Sequence, residues 1–179
     1  MVSIEGSVWD RIFGVGEFSE DLRSVIIMRG IPGSGKSTIV SDLSKRVVEN
    51  SGSRVVCSTD DFFMVDGVYK YDPRLASENH NLNLAKFIES LRSGVQVVFV
   101  DNTNTTAVEI APYYRLAQVY GYSPVILTLL CDPIAAMGRG LHSVPQDVVW
   151  SMYQNLCSER MPGYWKHVLL RTGKRKKAK

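Results

Sequence analysis

An α/β fold, with helices on both faces of a mostly parallel sheet, is predicted by three features of this 179-residue chain. Short apolar runs rich in β-branched residues alternate with longer segments at helical spacing, which is typical of buried strands and crossover helices. A glycine-rich turn joins the first run to the first helical segment. The chain is long enough for one domain with a substantial core. The sequence therefore predicts a three-layer sandwich whose ligands bind at the carboxyl ends of the strands.

The elements are expected in a regular order. The predicted strands are 24–29, 54–58, 95–100 and 123–130. The predicted helices run from the glycine-rich turn to 49, then over 73–91, 107–120 and 145–157. Asp66-Gly67 predicts a small hairpin or a loop within 64–72. A short amphipathic segment that packs on the core is predicted from the apolar residues Val8, Trp9, Ile12, Phe13 and Phe18. Residues 1–22 are predicted as an N-terminal extension, 23–170 as the domain and 171–179 as a basic tail.

Residues 30–37 read GIPGSGKS, a complete G-x-x-x-x-G-K-[ST] pattern between a strand and a helix. In that context the pattern predicts a phosphate-binding loop, or P-loop. Lys36 would contact the β- and γ-phosphates of ATP, and Ser37 would offer an oxygen to Mg²⁺. The residues expected to bind the nucleotide are Gly30, Pro32, Gly33, Ser34, Gly35, Lys36, Ser37 and Thr38. A chance glycine turn, or a loop that has lost its activity, is the alternative.

Two aspartates follow the second strand in the segment STDDFF. Transfer of a phosphoryl group to a hydroxyl needs a group that accepts the hydroxyl proton. Either Asp60 or Asp61 can do this while the other binds metal or water. Capping of a helix is the alternative for either carboxylate.

The third strand ends in VDNTNT. Asp101 lies where a P-loop protein places the carboxylate that contacts Mg²⁺. Asn102, Thr103 and Asn104 supply short polar groups that suit an acceptor molecule. Capping of the next helix is the alternative for this segment, with Thr105 or Thr106 as the capping residue.

A glycine-rich segment at 132–145 predicts a lid. Arg139 lies between two glycines there, so it can close over the transferred phosphoryl group, unless it is only a surface arginine. His142 and His80 are weaker candidates for a catalytic role, since a structural or capping role suits them as well. No His, Cys or Asp cluster has the spacing of zinc ligands.

The net charge of +3 hides an uneven distribution. Five positive charges lie at Lys174, Arg175, Lys176, Lys177 and Lys179, and without them the remaining chain carries −2. Such a tail indicates contact with nucleic acid or an acidic partner, nuclear import, or only a solvated end. Three scattered cysteines and no secretory leader predict an intracellular protein, cytoplasmic or nuclear. No apolar run reaches about 18 residues, so no membrane span is expected. An early Glu5 and Asp10 argue weakly against mitochondrial targeting.

The ordered motifs resemble those of one family. GIPGSGKS, STDDFF, Y-x-Y-D-P at 69–73, DNTNT and a lid ending in H-x-V-P resemble the polynucleotide-kinase-like P-loop domain of the NEDD-four-binding protein family. They resemble more distantly the 5′-kinase half of bacteriophage polynucleotide kinase/phosphatase, including VPQDVVWSMY at 144–153. The resemblance covers about residues 24–160 and implies a P-loop kinase-like fold with a lid.

The resemblance also implies roles for single residues. Asp60 would be the general base for a 5′-hydroxyl of RNA or DNA, and Asp61 would lie on the substrate side. Arg139 would cover the donor phosphates, and Asn102 to Asn104 overlie an acceptor-side motif. The chain departs from the pattern at Phe63, where the phage enzyme has an arginine for an acceptor phosphate, and at Gly140, where relatives have asparagine.

The sequence thus predicts an ATP- and Mg²⁺-dependent kinase that acts on a nucleic-acid 5′-hydroxyl. A kinase for a small-molecule hydroxyl is the alternative that Phe63 raises. A nucleotide-binding pseudo-kinase that serves as an interaction subunit is the alternative from another class. Intact Lys36, Ser37, Asp60 and Asp101 argue against the last.

Overall fold

The computed structural model describes residues 6–14, 19, 21–139 and 144–172. These residues form seven strands: β1 (Ser24–Arg29), β2 (Arg54–Cys57), β3 (Met64–Val65), β4 (Val68–Tyr69), β5 (Val97–Val100), β6 (Ser123–Cys131) and β7 (His167–Thr172). The same residues form six α-helices: α1 (Gly6–Phe13), α2 (Lys36–Glu49), α3 (Ala76–Arg92), α4 (Ala107–Val119), α5 (Pro133–Met137) and α6 (Gln146–Ser158). Short 3₁₀ helices cover Thr59–Phe63 and Pro73–Leu75.

Five strands form one parallel sheet in the order β2-β5-β1-β6-β7. All six residues of β1 are buried, because this strand lies at the centre between β5 and β6. Ser24 of β1 pairs with Val97 on one side and Ser123 on the other. The predicted α/β fold with a mostly parallel sheet is confirmed, and β3 and β4 form a separate two-stranded hairpin.

The strand side chains point alternately to two cores. On one face, Ile26 and Met28 pack with α1 and α2, whose buried side chains include Trp9 and Leu43. On the other face, neighbouring β1 residues pack with α3 and α4. This alternation produces the three predicted layers, and it holds the carboxyl ends of all five strands at one edge.

Several boundaries differ from the prediction for local reasons. The helix predicted from Pro73 begins as a 3₁₀ turn, because the Asp72 side chain accepts a hydrogen bond from the Arg74 N–H and caps that turn. The segment predicted as an irregular lid contains α5, where Asp132 caps the helix by accepting from the Ile134 N–H at 2.9 Å. Residues 140–143 of the lid, with Gly140 and His142, lie outside the described residues.

The strand β7 was not predicted. It pairs in parallel with β6 from Ile126–His167 to Cys131–Thr172 and completes the sheet. The amphipathic segment near the N-terminus is a helix, with Val8, Trp9 and Ile12 buried against the sheet; Phe18 lies outside the described residues. The basic tail residues 174–179 also lie outside them, so the proposed roles of the tail stay predictions. Within the described ranges, no helix has both the length and the apolarity needed to cross a membrane.

Candidate active site

The glycine-rich turn leaves β1 and opens α2. Gly33 and Gly35 have φ of 74° and 98°, a left-handed backbone that favours glycine. No side chain caps the start of α2, and its first turn carries no acidic residue. The first N–H groups of a helix lack partners within the helix, and together with the helix dipole they attract an anion. The predicted loop therefore has the geometry of a phosphate-binding turn.

Gly30 brings the loop close to the end of β6. A Cβ atom at Gly30 would lie 2.9 Å from the backbone oxygen of Leu129 and 2.9 Å from Ser34 Oγ. The Gly30 N–H donates to the Thr103 carbonyl at 2.8 Å, which ties the loop to the segment after β5. Only glycine fits this close approach without a shift of backbone.

We expect Gly30→Ala to lower the free energy of unfolding by about 1–3 kcal/mol, because the backbone at Leu129 cannot move as a flexible side chain would. Chemical denaturation of the variant measures this loss. Gly163→Ala is the matched control, since a Cβ there meets no atom within 4 Å. Equal unfolding free energies for the two variants would contradict the close approach.

Lys36 is buried at the start of α2, with 9% of its surface exposed. Its Nζ donates to the carbonyl oxygens of Gly30 and Ile31, each at 3.0 Å. Burial lowers the pKa of Lys36, and the charges of Asp101 and Asp60 oppose that shift. The ammonium group is thus held inside the loop, close to two carboxylates.

Asp101 lies directly after β5, as predicted. Its Oδ1 is buried without a hydrogen-bond partner among the described residues. Burial raises the pKa of Asp101, and the nearby Ser37 hydroxyl and the Lys36 charge oppose that shift. A buried carboxylate oxygen beside a serine hydroxyl fits a Mg²⁺ ion, which prefers oxygen ligands. The described residues hold no group of three or more His, Cys, Asp or Glu side chains that could bind a metal by themselves.

The two aspartates after β2 differ in their contacts. Asp60 is exposed, and its Oδ1 accepts a hydrogen bond from the Tyr69 hydroxyl at 3.1 Å. Asp61 forms a salt bridge of 3.0 Å with Lys86, a surface pair on the α3 side. The charge of Asp60 acts on both Lys36 and Asp101. Of the two carboxylates, Asp60 therefore has the stronger electrostatic link to the loop lysine.

The segment after β5 mainly holds the site together. Asn102 Oδ1 accepts from the Thr59 N–H at 2.9 Å, and this bond joins the ends of β5 and β2. Asn104 is buried, has φ of 45°, and donates from Nδ2 to the Met28 carbonyl at 2.8 Å. Thr103 supplies the carbonyl that holds Gly30. Thr106 caps α4 in a reciprocal pair with Glu109, so the predicted cap falls on this residue.

A cleft of about 270 Å³ opens beside these residues, between α3 and α4. Its described lining consists of amide, hydroxyl, imidazole and apolar groups with one carboxylate: His80, Asn81, Leu84, Asn102, Thr103, Asn104, Val108, Glu109, Pro112 and Tyr113. His80 Nδ1 lies 3.2 Å from the Thr59 hydroxyl, which connects the cleft to the 3₁₀ segment that carries Asp60. The cleft provides hydrogen-bonding groups and no lysine or arginine among the described lining residues.

Phe63 and Arg139 stay apart from the loop contacts described above. Phe63 is buried, with its ring 5.0 Å from Tyr71 and 6.1 Å from Tyr69 between centroids. Arg139 has an exposed side chain at the end of α5, and its N–H donates to the Ala136 carbonyl. The roles predicted for these two residues stay predictions.

Arg29, which was not among the predicted site residues, is the last residue of β1 and directly precedes the loop. It is 3% exposed, and its Nη2 donates to the carbonyl oxygens of Thr105 at 2.9 Å and Leu156 at 3.2 Å. Burial lowers the pKa of Arg29, and the charge of Glu159 is the first of several that oppose the shift. The residue before the loop thus ties β1 to α6.

A parallel sheet with this loop at the end of its central strand defines the chain as a P-loop kinase-like domain. Residues 25–139 match a family described as AAA domain, and the chain belongs to that family. Human NEDD4-binding protein 2 is 36% identical over 135 residues, which is 73% of this chain and 7% of that protein. The chain therefore spans only a small part of this curated relative.

Solved structures share the fold. A gluconokinase from Sinorhizobium meliloti 1021 has a TM-score of 0.58 at 17% identity and covers 86% of this chain and 85% of its own. A chain of the Pnkp1/Rnl/Hen1 RNA repair complex has a TM-score of 0.60 at 18% identity, covering 78% and 45%. The Mycobacterium tuberculosis APS kinase CysC, solved with AMPPNP and APS, has a TM-score of 0.58 at 12% identity, covering 86% and 91%.

Proposed function

We propose that this domain is an ATP- and Mg²⁺-dependent kinase that transfers the γ-phosphate to a hydroxyl, with the 5′-hydroxyl of RNA or DNA as the leading acceptor. The observation that carries the proposal is the meeting of four groups at the carboxyl ends of three strands: Lys36, Ser37, Asp101 and Asp60. A loop alone would support nucleotide binding. The added carboxylates supply what transfer to a hydroxyl requires.

The donor side follows from the loop. Its N–H groups and the start of α2 would hold the β- and γ-phosphates, and Lys36 would exchange its two carbonyl partners for phosphate oxygens. Ser37 and Asp101 would hold Mg²⁺, which neutralises phosphate charge when it is bound. The buried, unpartnered Oδ1 of Asp101 supports this assignment.

The acceptor side follows from Asp60. Its carboxylate would take the proton of the attacking hydroxyl as the oxygen bonds to the γ-phosphorus and the bond to ADP breaks. Asp61 already faces Lys86, which favours Asp60 for this role. Asn102 and Thr103 line the cleft and would offer hydrogen-bonding groups to a polar acceptor.

Two observations support a nucleic-acid acceptor. The motifs resemble the polynucleotide-kinase-like domain of the NEDD-four-binding protein family, and the human relative with 36% identity over 135 residues is NEDD4-binding protein 2. One structural neighbour belongs to an RNA repair complex. The basic tail, residues 174–179, would add contacts to phosphates outside the site.

A specific observation favours the second candidate, a small-molecule acceptor. Phe63 is buried against Tyr69 and Tyr71, so it offers no charge to an acceptor phosphate. The described lining of the cleft also holds no lysine or arginine. A neutral, hydroxyl-rich molecule would fit such a lining through its amide, hydroxyl and imidazole groups.

The decisive experiment incubates the protein with γ-labelled ATP and Mg²⁺ against RNA and DNA oligonucleotides with a 5′-hydroxyl, and against neutral small polyols, with gluconate as an anionic comparison. Oligonucleotides that already carry a 5′-phosphate are the acceptor control. A Lys36→Ala protein purified by the same procedure should give no label, which excludes a contaminating kinase. Label on the 5′-hydroxyl oligonucleotides alone is the expected result. Label on a polyol alone would replace the acceptor class, and no label on any acceptor would overturn the kinase proposal in favour of a pseudo-kinase.

We expect Arg139→Ala to lower kcat by at least about tenfold with smaller changes in both KM values, because a lid arginine acts on charge that develops in the transition state. Steady-state kinetics with each substrate varied in turn measures the split. Arg115→Ala is the matched control, since Arg115 is exposed on α4. A wild-type kcat in Arg139→Ala would show that Arg139 has no role in the transfer step.

A further inference from the structure

The hairpin after the 3₁₀ segment has a fixed register. Its turn residues Asp66 and Gly67 have φ of 52° and 77°, the pattern that two-residue hairpin turns require. Met64 pairs with Tyr69, and the Lys70 N–H donates to the Phe63 carbonyl at 2.8 Å. The hairpin is therefore fastened to the segment that carries Asp60, and Tyr69 has a defined place in it.

Tyr69 is held at both ends of its side chain. Its ring contacts the edge of Phe63, whose buried side chain anchors the hairpin. Its hydroxyl donates to Oδ1 of Asp60 at 3.1 Å. Burial, the charge of Asp60 and this hydrogen bond raise the pKa of Tyr69 to about 12, so the hydroxyl stays protonated at neutral pH. It remains a donor over the range in which a kinase works.

Asp60 is exposed and lies in the first turn of the 3₁₀ helix. A hydrogen bond to one oxygen restricts rotation of the whole carboxylate. The rate of a proton transfer depends steeply on this orientation, since a displacement of about 1 Å can cost on the order of 10²-fold. Tyr69 lies in the Y-x-Y-D-P segment, and the proposed transfer step assigns no role to the tyrosines of that segment.

We propose that Tyr69 is a positioning residue for Asp60: its hydroxyl fixes the orientation of the carboxylate that takes the acceptor's proton, an inference that rests on the proposed function. Tyr69 thereby makes the hairpin part of the active site. The hairpin acts through the geometry of Asp60, and Tyr69 itself needs no contact with either substrate.

The first test is kinetic and uses Tyr69→Phe, which removes one oxygen and keeps the ring. With the best acceptor from the labelled-ATP assay, kcat should fall by about 10–100-fold while the KM values for ATP and the acceptor stay unchanged. Tyr71→Phe is the matched control, because Tyr71 contacts the same Phe63 ring and is 60% exposed. In an Asp60→Asn background, Tyr69→Phe should cost nothing further, since the two residues act as one unit. Additive losses, or equal effects of the two tyrosine variants, would overturn the proposal.

The second test reads the proximity of the Asp60 charge to the Tyr69 hydroxyl without any turnover. The ¹³Cζ signal of Tyr69 followed by NMR from pH 9 upward should titrate at lower pH in Asp60→Asn, because the charge that raises the pKa of Tyr69 is gone. Unchanged titration would overturn the positioning of Asp60 even in an active kinase. If Asp60→Asn shifts the titration of Tyr69 but the wild-type protein labels no acceptor, the proposed function has failed. Tyr69 would then be only a structural residue.

Discussion

Lys36→Ala is expected to abolish measurable phosphoryl transfer. The buried ammonium group is the mobile cation of the loop, and its present partners are two carbonyl oxygens that phosphate oxygens would replace. Removal of one preorganised donor to developing charge costs on the order of 10²–10³-fold in kcat, and loss of ground-state contacts adds weaker ATP binding. Single-turnover transfer and binding of a fluorescent ATP analogue measure the two parts separately.

Two further variants make this result interpretable. Lys36→Met keeps most of the aliphatic stem, so it separates loss of charge from loss of packing. Lys45→Ala removes an exposed lysine of the same helix and should behave as wild type. Turnover that survives in both Lys36 variants would show that the loop is not the donor site.

Asp60→Asn is expected to lower kcat by on the order of 10²–10⁴-fold while ATP affinity stays unchanged, because the amide cannot accept the proton of the acceptor hydroxyl. The substitution preserves size, and the amide oxygen can still accept from Tyr69 Oη. Asp61→Asn is the matched control in the same 3₁₀ helix and removes the pair with Lys86. A collapse of kcat in the Asp61 variant alone would show that Asp61, and not Asp60, is the general base.

The parts of the fold that local pattern determines were predicted. Buried, β-branched β1, the glycine-rich turn and helix α2 follow one another without a gap, and each has its own sequence signal. The Asp66-Gly67 hairpin was also predicted, because the turn demands residues that tolerate positive φ. Strand β7 was missed, since His167–Thr172 has an apolar run of only three residues and gains its stability from pairing with β6.

The candidate site divides in the same way. The positions of Lys36, Ser37, Asp60 and Asp101 follow from strand ends, which the sequence marks by a change from apolar to polar residues. The contacts of Arg29 could not be predicted, because its partners Thr105 and Leu156 lie 76 and 127 residues away. Tyr69 had a partial signal, since the hairpin register was predictable and its reach to Asp60 was not.

The late position of β7 limits how this domain can be shortened. The region that matches the AAA domain family ends at residue 139, before α6 and β7. A recombinant fragment that stopped there would lose Trp165 and Val168 from the two cores and expose the outer edge of β6. The nine residues of that strand are almost all buried, and an apolar edge with open N–H and C=O groups recruits other chains. Soluble material therefore needs a boundary at or beyond Thr172, because shorter fragments lose the cover of this sheet edge, and a fragment that ends at 139 also loses the tie from Arg29 to α6.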